Sequence, residues 1–137
     1  MNSYKIIIVG NSKRGKSEWV QRLLHKRRRG IYIATQGVEI SSLTLSSNKV
    51  VRIWDMAGQA KYCGLSDAYY INASAALIFV DNEEEATHWL NEVMRICSPI
   101  PVFFITQNSS IFPPQLPVKN KEENPYSILK ELISCIQ

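Results

Sequence analysis

A chain of 137 residues is about one domain long, and a composition of 45% hydrophobic and 20% charged residues, with 6 Gly and 6 Pro, excludes collagen-like, low-complexity and wholly disordered classes. The formal net charge of +4 is mild, and much of the excess sits in one run, Lys26, Arg27, Arg28 and Arg29. That run reads as a solvated helix end and loop, or as a contact for an acidic partner or a phosphate.

Cys63, Cys97 and Cys135 are scattered, with no CxxC pair, which argues against a disulfide framework or a zinc site. The first residues lack a basic-then-apolar signal pattern, and the apolar runs at 6–9 and 73–80 are too short to span a bilayer. The expectation is an intracellular protein with one domain over residues 1–137. At this length roughly two-thirds of the unfolded surface can be buried.

In chain order, YKIIIV over residues 4–9 is an apolar run ending at Gly10, the pattern of a buried strand in a parallel sheet. Trp19, Val20, Leu23 and Leu24 recur at helical spacing and predict a helix over 16–27. VEISSLTL at 38–45 and VVRIW at 50–54 read as a hairpin turning at Asn48. AALIFV at 75–80 is another buried strand. Ala86, Leu90, Val93 and Cys97 predict a helix over 83–96, closed by Pro99 and Pro101. VFFIT at 102–106 is the next strand. Pro113, Pro114 and Pro117 leave room only for a short edge strand near Leu116 to Val118. Ile128, Leu129, Leu132, Ile133 and Ile136 mark a last helix from about Asn124 and Pro125. Strands alternating with helices predict an α/β domain with a mostly parallel sheet.

Gly10, Asn11, Ser12, Lys13, Arg14, Gly15, Lys16 and Ser17 match GxxxxGK[ST] between a predicted strand and a predicted helix. This arrangement suits a phosphate. Successive backbone N–H groups and the positive end of the helix face it, Lys16 reaches its outer oxygens, and the Ser17 hydroxyl can ligate Mg²⁺. Asp55, Gly58 and Gln59 end another strand as DxxGQ. There Asp55 can hold Mg²⁺ through a water, Gly58 can donate its N–H to a γ-phosphate, and Gln59 can orient an attacking water. Thr35 lies in the intervening loop, placed to complete the metal shell. Catalysis is thus expected from Gln59 and Lys16.

The order of phosphate loop, Thr-containing loop, hairpin and DxxGQ resembles the Ras-like small GTPases, a P-loop NTPase fold. The Ran branch is the most similar. Its likeness rests on Tyr32, Ala34, Thr35, Gly37, Val38 and Glu39, then on Trp54, Asp55, Ala57, Gly58, Gln59, Lys61, Tyr62, Gly64, Leu65, Asp67, Tyr69, Tyr70 and Ile71, and on Trp89, Val93, Arg95, Ile96, Cys97, Ile100, Pro101 and Val102 in the following helix and strand. The resemblance covers residues 4 to about 106 and, more weakly, the last helix. It implies five to six sheet strands flanked by helices, a GTP/GDP ligand with Mg²⁺, and slow GTP hydrolysis. It also implies importin- and exportin-type transport receptors, an exchange factor and a GTPase-activating protein as partners, in nucleus and cytoplasm. A monomer is expected, with no nucleic acid and no lipid anchor, since Cys135 is not in a CaaX position.

The family's base-reading NKxD is replaced by Thr106, Gln107, Asn108 and Ser109, with Ser109 in place of the Asp and Gln107 in place of the Lys. Arg28 stands where an aromatic usually packs on the base, and the SAK loop is at best Pro117, Val118 and Lys119. The helix before the last strand is reduced or missing. Base contacts are therefore expected from Arg28, Thr106, Gln107, Ser109 and Lys119, with weakened guanine preference. The alternative is a binding module that keeps Ran-like surfaces without selective nucleotide binding. A P-loop kinase or ATPase is a further reading, but it would need a second substrate site for which the chain leaves little room.

Overall fold

A computed structural model describes residues 2–11, 15–25, 29–33, 38–46, 49–56, 67–97 and 99–136. Its strands are β1 (Asn2–Gly10), β2 (Arg29–Ile33), β3 (Glu39–Ser46), β4 (Lys49–Asp55), β5 (Ala75–Phe79), β6 (Val102–Thr106) and β7 (Val118–Asn120). Its helices are α1 (Lys16–Leu24), α2 (Asp67–Tyr70), α3 (Glu83–Ile96) and α4 (Pro125–Ser134). The strands form one sheet in the order β2-β3-β4-β1-β5-β6-β7. Pairs β1–β4, β1–β5, β5–β6 and β6–β7 are parallel; β2–β3 and β3–β4 are antiparallel.

The mostly parallel α/β fold therefore holds, with one strand beyond the five to six expected. The addition is β2, which begins inside the basic run at Arg29 and pairs Tyr32 with Ile40. Neither Arg29 nor Gly30 has the apolar character that marks a strand, so only pairing with β3 reveals it. The first helix ends at Leu24, earlier than the periodicity predicted.

Each face of the sheet is covered because strand side chains alternate. On one face Ile6, Ile8, Ile53, Leu77, Phe79 and Ile105 meet Trp19 and Leu23 of α1 and Leu129 and Leu132 of α4. Trp19 and Phe79 stack edge to face with centroids 5.7 Å apart. On the other face Ile7, Val9, Ile78 and Phe104 meet Tyr70, Ala86 and Val93.

The helix expected to be reduced before the last strand is replaced by a single 3₁₀ turn, Ser109–Ile111. Phe112 is buried just past it and, with Leu116, packs on Phe104 and the rest of that face. Two apolar side chains on a proline-bounded loop fill the space that a helix would cover.

Cys97 ends α3. Its thiol donates to the Tyr70 carbonyl at 3.3 Å, and burial pushes its pKa up, partly offset by the Lys5 ammonium. Cys135 is exposed. A thiol with a raised pKa carries less thiolate at pH 8, so Cys135 should alkylate at least about ten times faster than Cys97. Peptide mapping after timed iodoacetamide treatment checks this. The Cys97 rate should keep climbing with pH above about 8.5, the ordinary thiol pKa.

Candidate functional site

Strands β1, β4, β5, β6 and β7 run parallel, so their C-terminal ends share one rim, and ligand sites of open α/β sheets lie at such rims. There β1 turns at Gly10 into the loop that opens α1. Gly10 has φ +143°, and a Cβ there would lie 2.4 Å from the Phe79 carbonyl oxygen, so the loop starts flush against the end of β5. Gly15, at φ +83°, is the N-cap of α1 and supplies no side-chain cap. The first N–H groups of α1 therefore remain available to an anion.

Lys16 is buried beneath this loop at 3% exposure, and its ammonium donates to the Gly10 carbonyl at 2.9 Å and to the Asn11 carbonyl at 2.5 Å. A buried ammonium needs such acceptors, and they hold it under the loop rather than in solvent. Asn11 is gripped a second time, by the Trp89 indole N–H, which donates to Asn11 Oδ1 at 2.8 Å.

Next to the loop, the Ser17 hydroxyl donates to Asp55 Oδ2 at 3.0 Å. Asp55 is 4% exposed at the end of β4, where the parallel register sets it beside Ile8 and the Met56 N–H donates to the Ile8 carbonyl at 3.1 Å. Two residues 38 positions apart thus present hard oxygens at one point, the donor type that suits Mg²⁺. Among the described residues no group of three or more His, Cys, Asp or Glu gathers to hold a metal. Any cation here would depend on ligand oxygens as well as on the protein.

Thr106 ends β6 on the same rim, buried, with its hydroxyl accepting from the Asn108 N–H at 3.3 Å and its carbonyl accepting from the Lys121 N–H at 2.7 Å. Gln107 and Ser109 are exposed, and the Gln107 carbonyl accepts from Asn120 Nδ2 at 3.5 Å. Lys119, also expected to contact the base, lies on β7. It points to the α4 side of β7, pairs with Glu131 at 2.8 Å and lies 5.3 Å above the Phe103 ring. The alternation along β7 explains this, because Lys119 is in register with Ile105, whose side chain belongs to the α1–α4 face.

Lys121, two residues later, reaches this rim. A Cβ on Gly15 would lie 3.1 Å from its Nζ and 3.4 Å from its Cδ, so its stem lies across the glycine. Arg22 of α1 fixes that segment by donating to the Lys121 carbonyl at 3.0 Å and the Glu123 carbonyl at 3.4 Å. Apolar periodicity could not find Lys121 or Trp89, because both roles come from contacts between distant segments.

The structure therefore brings together Gly10, Asn11, Gly15, Lys16, Ser17 and Asp55, while Thr106, Gln107 and Ser109 lie at and just past the end of β6, two strands from β1. Ser12, Lys13, Arg14, Arg28, Thr35, Gly58 and Gln59 lie outside the described residues. A family model described as Roc, "Ras of Complex, Roc, domain of DAPkinase", matches residues 5–110, more than half of the chain.

Proposed function

The chain belongs to the Roc family of Ras-like GTPase domains, whose members bind guanine nucleotides, and from that membership we propose a guanine-nucleotide switch that hydrolyses GTP. The observation that carries this reading is the Ser17–Asp55 hydrogen bond beside a buried Lys16 on a loop closed by a left-handed Gly15. Those residues fit a nucleotide's phosphates and a hard cation together. In this reading Ser17 and Asp55 hold Mg²⁺, with Thr35 completing its shell. When bound, the metal neutralises charge on the outer phosphates.

The residues of the chain do the rest. Backbone N–H groups from Gly10 to Gly15 and the first turn of α1 orient the phosphates, and Lys16 shares its protons between loop carbonyls and phosphate oxygens. Gly58 donates to the γ-phosphate and Gln59 positions the attacking water. Loss of the γ-phosphate then releases the segments around Thr35 and Gly58. Intrinsic turnover is slow, on the order of 10⁻⁴ to 10⁻² per second, unless a partner supplies an arginine.

Base selectivity is the weak part of this site. Ser109 offers a neutral hydroxyl where the family's carboxylate accepts two hydrogen bonds, and Lys119 is committed to Glu131. Losing a charge-assisted pair removes about one to two decades of affinity. Titration of nucleotide-stripped protein with GTP, GDP, ATP and XTP in Mg²⁺ tests the reading. Phosphate-dependent binding with a guanine preference below about tenfold is expected, and Ser109→Asp should raise GDP affinity about tenfold or more while leaving ATP unchanged. Absence of binding by every nucleotide would defeat the switch.

The second reading is a binding module for partners of Ran-like proteins, of the transport-receptor, exchange-factor and activating-protein types, acting between nucleus and cytoplasm. It is favoured by the same base site and by the Ran-like strings at 32–40 and 54–71. Pull-down of purified transport receptors that is indifferent to GTP, GDP or their absence would select it.

A further inference from the structure

We propose that Trp89 is a positioning residue for nucleotide binding, latching the start of the phosphate loop through the Asn11 side chain. The proposal rests on the nucleotide-binding reading above and adds a residue that the phosphate-loop motif does not contain.

Trp89 is a well-fixed donor. It lies two turns into α3, whose start is set by Asn82 Oδ1 accepting from the Glu85 N–H at 2.9 Å and by Glu85 Oε1 accepting from the Asp81 N–H at 3.0 Å. Ala86 and Val93 on the same helix are buried against the sheet. The helix follows directly from β5, whose last residue, Phe79, is the one that Gly10 touches. One continuous segment thus supports the loop twice, first by the backbone of β5 under Gly10 and then by the indole of α3 on Asn11.

The second support becomes decisive when a phosphate arrives. In the structure the Lys16 ammonium holds the Asn11 carbonyl, and Trp89 holds its side chain. An ammonium that also meets phosphate oxygens divides its protons among more acceptors, so its hold on Asn11 weakens as the ligand binds. The indole N–H competes for no phosphate and keeps Asn11 in place. A cleft of about 410 Å³ lined by Asn11, Asn82, Glu84, Glu85 and His88 opens beside this bond. Without the indole donor, water would take its place and Asn11 would be free to turn.

The test is a double-mutant cycle on the whole chain with Trp89→Phe, which keeps an aromatic ring and loses the N–H, and Asn11→Ala. The protein's indole N–H resonances are recorded first without nucleotide, where N11A should shift the one that W89F removes. GDP affinity in Mg²⁺ is then measured. Each single variant is expected to bind about five- to tenfold more weakly, and the double variant no more weakly than either single one. Melting temperatures without nucleotide should stay within a few degrees of wild type, which separates positioning from loss of packing.

Unchanged GDP affinity in W89F, or additive losses in the double variant, would overturn the proposal while leaving nucleotide binding intact. Wild-type protein that binds no GDP would overturn the proposed function, and the positioning role with it. In that case the resonance data would still show whether the bond exists.

Discussion

Gly10→Ala is expected to cost more than about 3 kcal/mol of stability and to abolish nucleotide binding. The residue has φ +143°, a conformation that costs a side-chain-bearing residue about 1–3 kcal/mol. Its new methyl group would also sit 2.4 Å from the Phe79 carbonyl oxygen. That atom is backbone and cannot rotate away, so β1 and β5 would have to separate where Gly10 pairs with Phe79. The strands carry Ile8, Leu77 and Phe79 on one face and Val9 and Ile78 on the other, so separation opens both halves of the core. A domain of this size should lose roughly 10 °C of melting temperature or fail to accumulate in soluble form. Calorimetry or denaturant melts of the purified variant measure the loss. A melting temperature within about 2 °C of wild type would show that the loop tolerates a side chain and that Gly10 is not held against β5.

Lys16→Ala should have the largest effect on binding while leaving the fold standing. Among the described residues of the motif the ammonium is the one full charge, and it is held in place by the Gly10 and Asn11 carbonyls. Charge-assisted bonds contribute about 1.5–3 kcal/mol each, so losing the ammonium should weaken GDP binding about 100- to 1,000-fold. Alanine suits the first turn of α1, and Trp19, Val20, Leu23 and Leu24 keep that helix on the sheet. The melting temperature without nucleotide should therefore change by only a few degrees. GDP at about 100 times its wild-type Kd should stabilise the wild type by about 2.7 kcal/mol and the variant by much less. Equal ligand-induced stabilisation of both would show that the phosphates bind elsewhere.

Much of this was legible in the residues. The apolar runs of β1, β5 and β6 marked buried parallel strands because both faces of such strands are covered, so no polar alternation interrupts them. The phosphate loop was legible because its chemistry needs glycine at two conformations and a lysine and hydroxyl at fixed offsets. Gly10 and Gly15 do adopt positive φ. Asn124 and Pro125 marked the start of α4 by local capping, and Asn124 Oδ1 accepts from the Tyr126 and Ser127 N–H groups at 2.9 and 3.2 Å. The proline-rich stretch showed that a helix had no room, although it did not show that Phe112 fills the space.

Strand β2 was hidden because its partner is β3, and no period within Arg29–Ile33 reports a neighbour. The facing of Lys119 was hidden because a one-residue shift along a strand turns side chains to the other face, and the register after Pro117 depends on pairing with β6.

By itself, then, the sequence determined the α/β class and the phosphate-loop motif, since both depend on residue type at short spacing. Only the tertiary structure decided that Ser17 meets Asp55, that Lys121 lies over Gly15 while Lys119 turns to Glu131, and that Trp89 grips Asn11. Apart from the Lys119–Glu131 pair, these contacts join residues tens of positions apart. They exist only once sheet order and register have brought the strand ends to one rim.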